Sequence, residues 1–184
     1  MTGSVPGFDS PAVGFEQPFE MLAACHDRVR RSLVLLQRLM VHVRDHGHDA
    51  KSRSAAADVL RYFERAAPLH HEDEERHVFP LLAGACDPGL TATVAALQRE
   101  HRHLEAQWAG LRVVLTAWSR DDAGGMPDDR LSAQVTEFER LYAAHLCTEE
   151  DVVFPAARAC IDAAGLAEMS LDMARRRGAA ARVR

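Results

Sequence analysis

The chain has 184 residues, 47% hydrophobic and 27% charged, which suits one domain with a buried core. A formal net charge of −5 is modest and does not point to nucleic acid as the main partner, and no apolar run approaches the ~18 residues of a membrane span. With no signal-peptide pattern at the start and no C-x-x-C pair among Cys25, Cys86, Cys147 and Cys160, a cytoplasmic protein with reduced, mostly buried thiols is expected. Residues 1–17 carry Gly, Pro and Ser without a helical period and read as an irregular arm. From Pro18, which suits the first turn of a helix, Leu22, His26, Val29, Leu33, Leu36 and Met40 recur at steps of three and four, the mark of one buried stripe. Gly47 is the stop signal.

A second helix is expected from about Ser52 to Gly84, with its stripe on Ala56, Leu60, Phe63, Ala67, His70, Glu74, His77 and Leu81. Pro68 falls inside it and should kink it or loosen a hydrogen bond. Asp87-Pro88 opens a third helix, striped by Val94, Leu97, His101, Leu104, Trp108, Leu111, Leu115 and Trp118. RDDAGGMPDD (120–129) is a loop. The fourth helix carries Leu131, Val135, Phe138, Tyr142, His145, Glu149 and Val152 and is expected to stop near Gly165. The fold class is therefore all-α: an antiparallel up-down-up-down four-helix bundle over residues 18–165. A short C-terminal tail, 166–184, has room for one more helix; it puts five arginines in the last ten positions and reads as frayed and solvated.

Ten histidines is a high number for this length, and every helix places an ionisable residue in its own apolar seam. A lone seam histidine is usually a hydrogen-bonded core residue. Four helices doing this together would bury imidazoles and carboxylates at several kcal/mol each unless something compensates them all. A metal ion does so. The heights agree: at ~1.5 Å per residue, His26, Glu74, His101 and Glu149 lie ~12, ~15, ~18 and ~20 Å from helix ends that share one side of such a bundle. His70 and Glu74, and likewise His145 and Glu149, are four apart and project from one helix face.

The chain also repeats itself. HHEDEERHVFP (70–80) and HLCTEEDVVFP (145–155) share the frame H-x-x-x-E-E-x-x-V-F-P, and HDRV (26–29) lies over HRHL (101–104). Each half supplies two histidines and one glutamate, so two ions related by a pseudo-two-fold axis follow. This doubled frame, with a histidine upstream in each half, resembles the hemerythrin-like (HHE cation-binding) family over about residues 18–160. The resemblance implies two non-haem iron ions with an oxo or hydroxo bridge, His26 and His70 on one, His101 and His145 on the other, and Glu74 and Glu149 bridging.

In the oxygen-carrying hemerythrins the third helix supplies two histidines four residues apart. Here the second of these positions is Glu105, which is expected to ligate the iron of His101 and His145 and to shift the site some way from oxygen carriage toward oxygen activation. His71 and His103 fall off the seams and are expected at the surface, as are His42, His46 and His48 at the far end of the first helix. His77 is expected to be packed and hydrogen-bonded or to support the ligands. Glu75 and Glu150 should form salt bridges or support the ligands, and Phe79 and Phe154 should plug the core. Imidazole and carboxylate donors suit iron, zinc or manganese. Two functions remain open: a module that binds, stores or senses O₂ or NO, and an enzyme that removes peroxide or nitric oxide. Iron storage is a third.

Overall fold

A proline opens the first helix, aspartates cap the starts of the later ones, and a glycine sets the first stop. The computed structural model describes residues 14–83, 87–120 and 125–179. Helix α1 (Pro18–His46) ends at Gly47, whose φ of 75° and N–H bond to the Val43 carbonyl close it. Helix α2 runs without a break over residues 50–83. Its start is a reciprocal cap: the Asp49 carboxylate accepts from the Ser52 N–H, and the Ser52 hydroxyl accepts from the Asp49 N–H. Helix α3 (Pro88–Trp118), α4 (residues 129–160) and α5 (Ala163–Arg176) start under the carboxylates of Asp87, Asp128 and Asp162. No strand occurs among the described residues, and no helix there is long and apolar enough to cross a membrane.

Three turns widen to π geometry, at Tyr62–Ala66, Glu74–Val78 and Glu149–Val153. Each is followed by one residue and then a proline: Pro68, Pro80 and Pro155. Proline offers no N–H and its ring collides with the carbonyl four residues back. The widened turn relieves both problems by bonding the preceding N–H five residues back, from Phe79 to the Glu74 carbonyl and from Phe154 to that of Glu149. The extra residue lets Val78 with Phe79, and Val153 with Phe154, all pack inward. Pro68 thus loosens its helix as expected.

Pairs between α1 and α4 descend on one as they rise on the other: Glu20 with Arg158 at 2.8 Å, Arg30 with Glu150 at 2.7 Å and Arg44 with Ser132 at 3.2 Å. The interior divides into two apolar clusters. One is built on Val29, Leu36, Phe63, Leu111 and Phe138, the other on Phe19, Leu22, Phe79, Leu97 and Phe154.

The end of the chain departs from expectation. Helix α4 stops at Cys160, not near Gly165, because Ile161 is extended (φ −87°, ψ 133°) and Asp162 caps a new helix. That helix, α5, is docked and not frayed over its length. Met169 and Met173 are fully buried in the second cluster, and the Ser170 hydroxyl donates to the Phe15 carbonyl. Arg176 and Arg177 both pair with Asp73 of α2, whose side chain is completely buried. Arg182 and Arg184 lie outside the described residues, as do most of the expected N-terminal arm and Cys86. Of the other cysteines, Cys25 is buried but Cys147 and Cys160 are exposed, contrary to the expectation of mostly buried thiols.

Candidate metal centre

The polar layer lies where the two apolar clusters meet. His26 falls between Leu22 and Val29, His70 and Glu74 between Ala67 and Val78, His101 between Leu97 and Leu104, and His145 and Glu149 between Tyr142 and Val153. All six residues are at most 1% exposed. The Nε2 atoms of His26 and His70 are 3.0 Å apart, and those of His101 and His145 are 3.1 Å apart.

The two glutamates divide their oxygens between these pairs. Glu74 turns Oε1 to His70 (3.2 Å) and His26 (3.9 Å), and Oε2 to His101 (3.5 Å). Glu149 turns Oε2 to His26 (3.2 Å), and Oε1 to His145 (3.1 Å) and His101 (3.8 Å). Two overlapping groups result, His26–His70–Glu74–Glu149 and His101–His145–Glu74–Glu149, each with ligand-type atoms within 4.8 Å of one another. None of the four carboxylate oxygens has a well-aligned hydrogen bond. Buried carboxylate oxygens left that way are costly, and cations between the halves would satisfy all of them. The donor set therefore fits a pair of metal ions.

Outside this layer, three of the four imidazoles are held by carboxylates. Nδ1 of His26 donates to Glu150 (2.8 Å), that of His101 to Glu75 (2.9 Å) and that of His145 to Glu100 (2.9 Å). These bonds put a proton on Nδ1 and aim Nε2 inward, the orientation a ligating imidazole needs. Glu150 is itself tied to Arg30 at 2.7 Å. Nδ1 of His70 has no partner. In the internal repeat the position matching Glu100 is Cys25, which explains the gap. Phe154 stacks on His26 at 5.2 Å and Phe79 on His101 at 5.6 Å, so both phenylalanines are plugs as expected.

Without metal, protons balance the charge. Burial disfavours the charged form of His26 and His101, but the facing Glu149 and Glu74 carboxylates outweigh it and hold both at about 10. Burial likewise pushes Glu74 and Glu149 up, and the surrounding imidazoles overcome it. Glu74 falls to about 2 and Glu149 lies well below the usual carboxylate range. His70 is lowered, burial being the main cause.

Residues 17–157 match the hemerythrin HHE cation binding domain. The chain belongs to that family. An uncharacterized protein of Haemophilus influenzae (strain ATCC 51907 / DSM 11121 / KW20 / Rd) is 33% identical over 163 residues, 89% of this chain and 91% of its own length. The matched region contains all six converging residues and ends just beyond Phe154 and Pro155, so the whole repeat lies within the hemerythrin-like segment.

Two site expectations need correction. Glu105 is exposed and lies outside both groups. From His101 the seam steps by three to the buried Leu104, which turns the next position outward, and Glu105 matches the exposed Arg30 in the other half. His71, expected at the surface, is only 6% exposed. Its ring stacks on His101 with centroids 4.0 Å apart and planes 10° from parallel, and one of its nitrogens lies within 4.8 Å of the ligand-type atoms of His101 and His145. Burial drives its pKa well below that of a free imidazole.

The other histidines are simpler. His103 and His46 are exposed as expected, whereas His42 is half-buried beside Asp49 (3.1 Å) and His48 half-buried against Trp118. His77 is packed and bonded to Asp172 on α5 at 2.9 Å. Helix periodicity could not reveal His71, Glu100 or Asp73, because each is assigned to a face by neighbours on other helices. A signal for α5 was present, since Leu166, Met169 and Met173 recur at helical spacing.

Proposed function

We propose that this hemerythrin-like chain holds two non-haem irons, one on His26 and His70 and one on His101 and His145, bridged by Glu74 and Glu149, in an antiparallel up-down-up-down bundle. The site would bind O₂ or NO as a carrier, store or sensor. The observation that supports this most is the division of the two buried glutamates: each turns one oxygen to each histidine pair and has no other partner. Iron in such a site supplies electrons to a small ligand. The chain's own residues hold it, keep bulk water out with Phe79 and Phe154, and accept the Nδ1–H bonds of His101, His145 and His26 on Glu75, Glu100 and Glu150.

With Glu105 turned to solvent, the donor set keeps four imidazoles to two carboxylates. That favours ligand binding over the oxygen-activating chemistry that more anionic donation promotes. Protein made in iron-replete cells should carry about two irons per chain, with near-ultraviolet absorption from an oxo or hydroxo bridge when oxidised. The reduced form should take up O₂ or NO and release it unchanged on degassing. One iron or none per chain overturns the paired site. Rapid loss of peroxide or NO over many turnovers, without reversible uptake, replaces the binding reading with the enzymatic one.

A further inference from the structure

The repeat breaks its symmetry inside the protein at position 71. The first half of the motif reads His70-His71, and the second reads His145-Leu146. Both members of the pair at 71 and 146 are buried, so the difference lies inside the protein. An imidazole there costs more than a leucine unless its nitrogens are used, yet Nε2 of His71 is buried and has no hydrogen-bond partner. Among the described residues no carboxylate is paired with it, and its ring neighbours are His101 at 4.0 Å, stacked, His145 at 5.9 Å, His70 at 6.0 Å and Tyr142 at 6.3 Å.

His71 is not placed to be a third imidazole on the same ion. A ring nitrogen offers its lone pair in the plane of the ring. The rings of His71 and His101 are nearly parallel, 10° apart, so an ion in the plane of His101 stands out of the plane of His71 by most of the 4.0 Å between them. Lone pairs lying in two nearly parallel, stacked planes do not converge on one ion. What His71 can do is present a ring nitrogen to a small molecule held beside His101 and His145, with ligand-type atoms of all three residues within 4.8 Å of one another.

We infer that His71 is a positioning residue that hydrogen-bonds a small anion or diatomic ligand entering the His101/His145 half of the site, and that the His26/His70 half, with Leu146 at the matching position, has no such group. This rests on the paired-metal reading above. It makes the two halves unequal: both hold metal, and one recognises the guest.

The test uses the full chain loaded with ferric iron, with azide as probe. Metal content, azide affinity by visible titration, and urea unfolding are measured for the parent, His71→Phe, His71→Leu and His71→Gln. Phe keeps the stacking area without a hydrogen-bonding group, Leu copies position 146, and Gln restores an N–H. Two irons should remain in all four proteins. The azide dissociation constant should rise about tenfold in the Phe and Leu variants, as expected for one hydrogen bond to a charged group, and return most of the way in the Gln variant.

Loss of one iron in both apolar variants would make His71 a ligand and overturn the inference. So would parent-like azide affinity in whichever apolar variant folds, or failure of Gln to restore it. A two-iron parent that takes no azide overturns it as well. A parent that binds no metal overturns the paired site first and this inference with it, and that result is read from metal content before any azide is added.

Discussion

The outer carboxylates make the two halves of the centre unequal in a way that metal release can measure. His101 and His145 each donate Nδ1–H to a glutamate, Glu75 and Glu100. In the other half only His26 does so, to Glu150, and His70 is bare because Cys25 stands where the repeat would place a carboxylate. The halves thus differ by one such bond. Groups of this kind are worth about 10- to 100-fold in metal affinity, or about 1.4–2.7 kcal/mol. The side chains of Glu75 and Glu100 are 45% and 41% exposed, so solvent screening favours the lower end, about tenfold. Loaded protein challenged with excess chelator should release metal in two phases about tenfold apart, the faster from the His26/His70 half. Glu100→Gln should bring the slow phase up to the fast one. Glu150→Gln should quicken the fast phase alone. A single phase in the parent, or a Glu100→Gln variant that releases metal as the parent does, would refute the reasoning.

Other perturbations separate the site from its surroundings. His70→Ala should lose about one of two metals per chain and Glu149→Ala more than one, with a lower unfolding midpoint for the loaded protein, while His46→Ala should change neither, read by metal analysis and calorimetry. Glu105→Ala should keep its metal and stay within about 0.5 kcal/mol of the parent in urea unfolding, because the residue is exposed. Replacing both Arg176 and Arg177 by alanine strands the buried Asp73 carboxylate and should cost about 3–5 kcal/mol in urea unfolding, part of it recovered by adding Asp73→Leu. For pH, His26 and His101 sit at about 10 in the metal-free fold against 6.5 for a free imidazole. Their stabilisation of that fold is complete below 6.5 and is lost as pH rises through 10. Metal has to displace those protons, while Glu74 and Glu149 stay ionised throughout. The difference in unfolding temperature between cobalt-loaded and metal-free protein should therefore widen from pH 7 to pH 9, and a constant or shrinking difference would contradict the proton balance described for the site.

The six converging residues were legible because each sits on a helix seam at a fixed spacing, and a single helix period is enough to read a seam. The same rule failed at His71 and Asp73, which lie on α2 beside the seam residues and are nevertheless buried. Helix α2 is covered on more than one side: His101 of α3 stacks on His71, and the arginines of α5 reach Asp73. Its buried arc is wider than one stripe, and periodicity cannot show that until the neighbours are known. Glu105 failed in the opposite direction, since a position four residues from a seam histidine need not point inward when the position three residues on, Leu104, already fills the core. The internal repeat was a better guide to these residues than the helix period. Where its halves agree, as at His26 and His101, His70 and His145, or Glu74 and Glu149, the residues converge in the two groups that could hold metal. Where they differ while staying buried, as Leu146 against His71, packing alone would not require the change. Where they differ at the surface, as Arg30 and Glu105 do, neither residue joins the converging groups, and Arg30 reaches them only through Glu150. Burial is what separates the second case from the third, and only the folded structure supplies it.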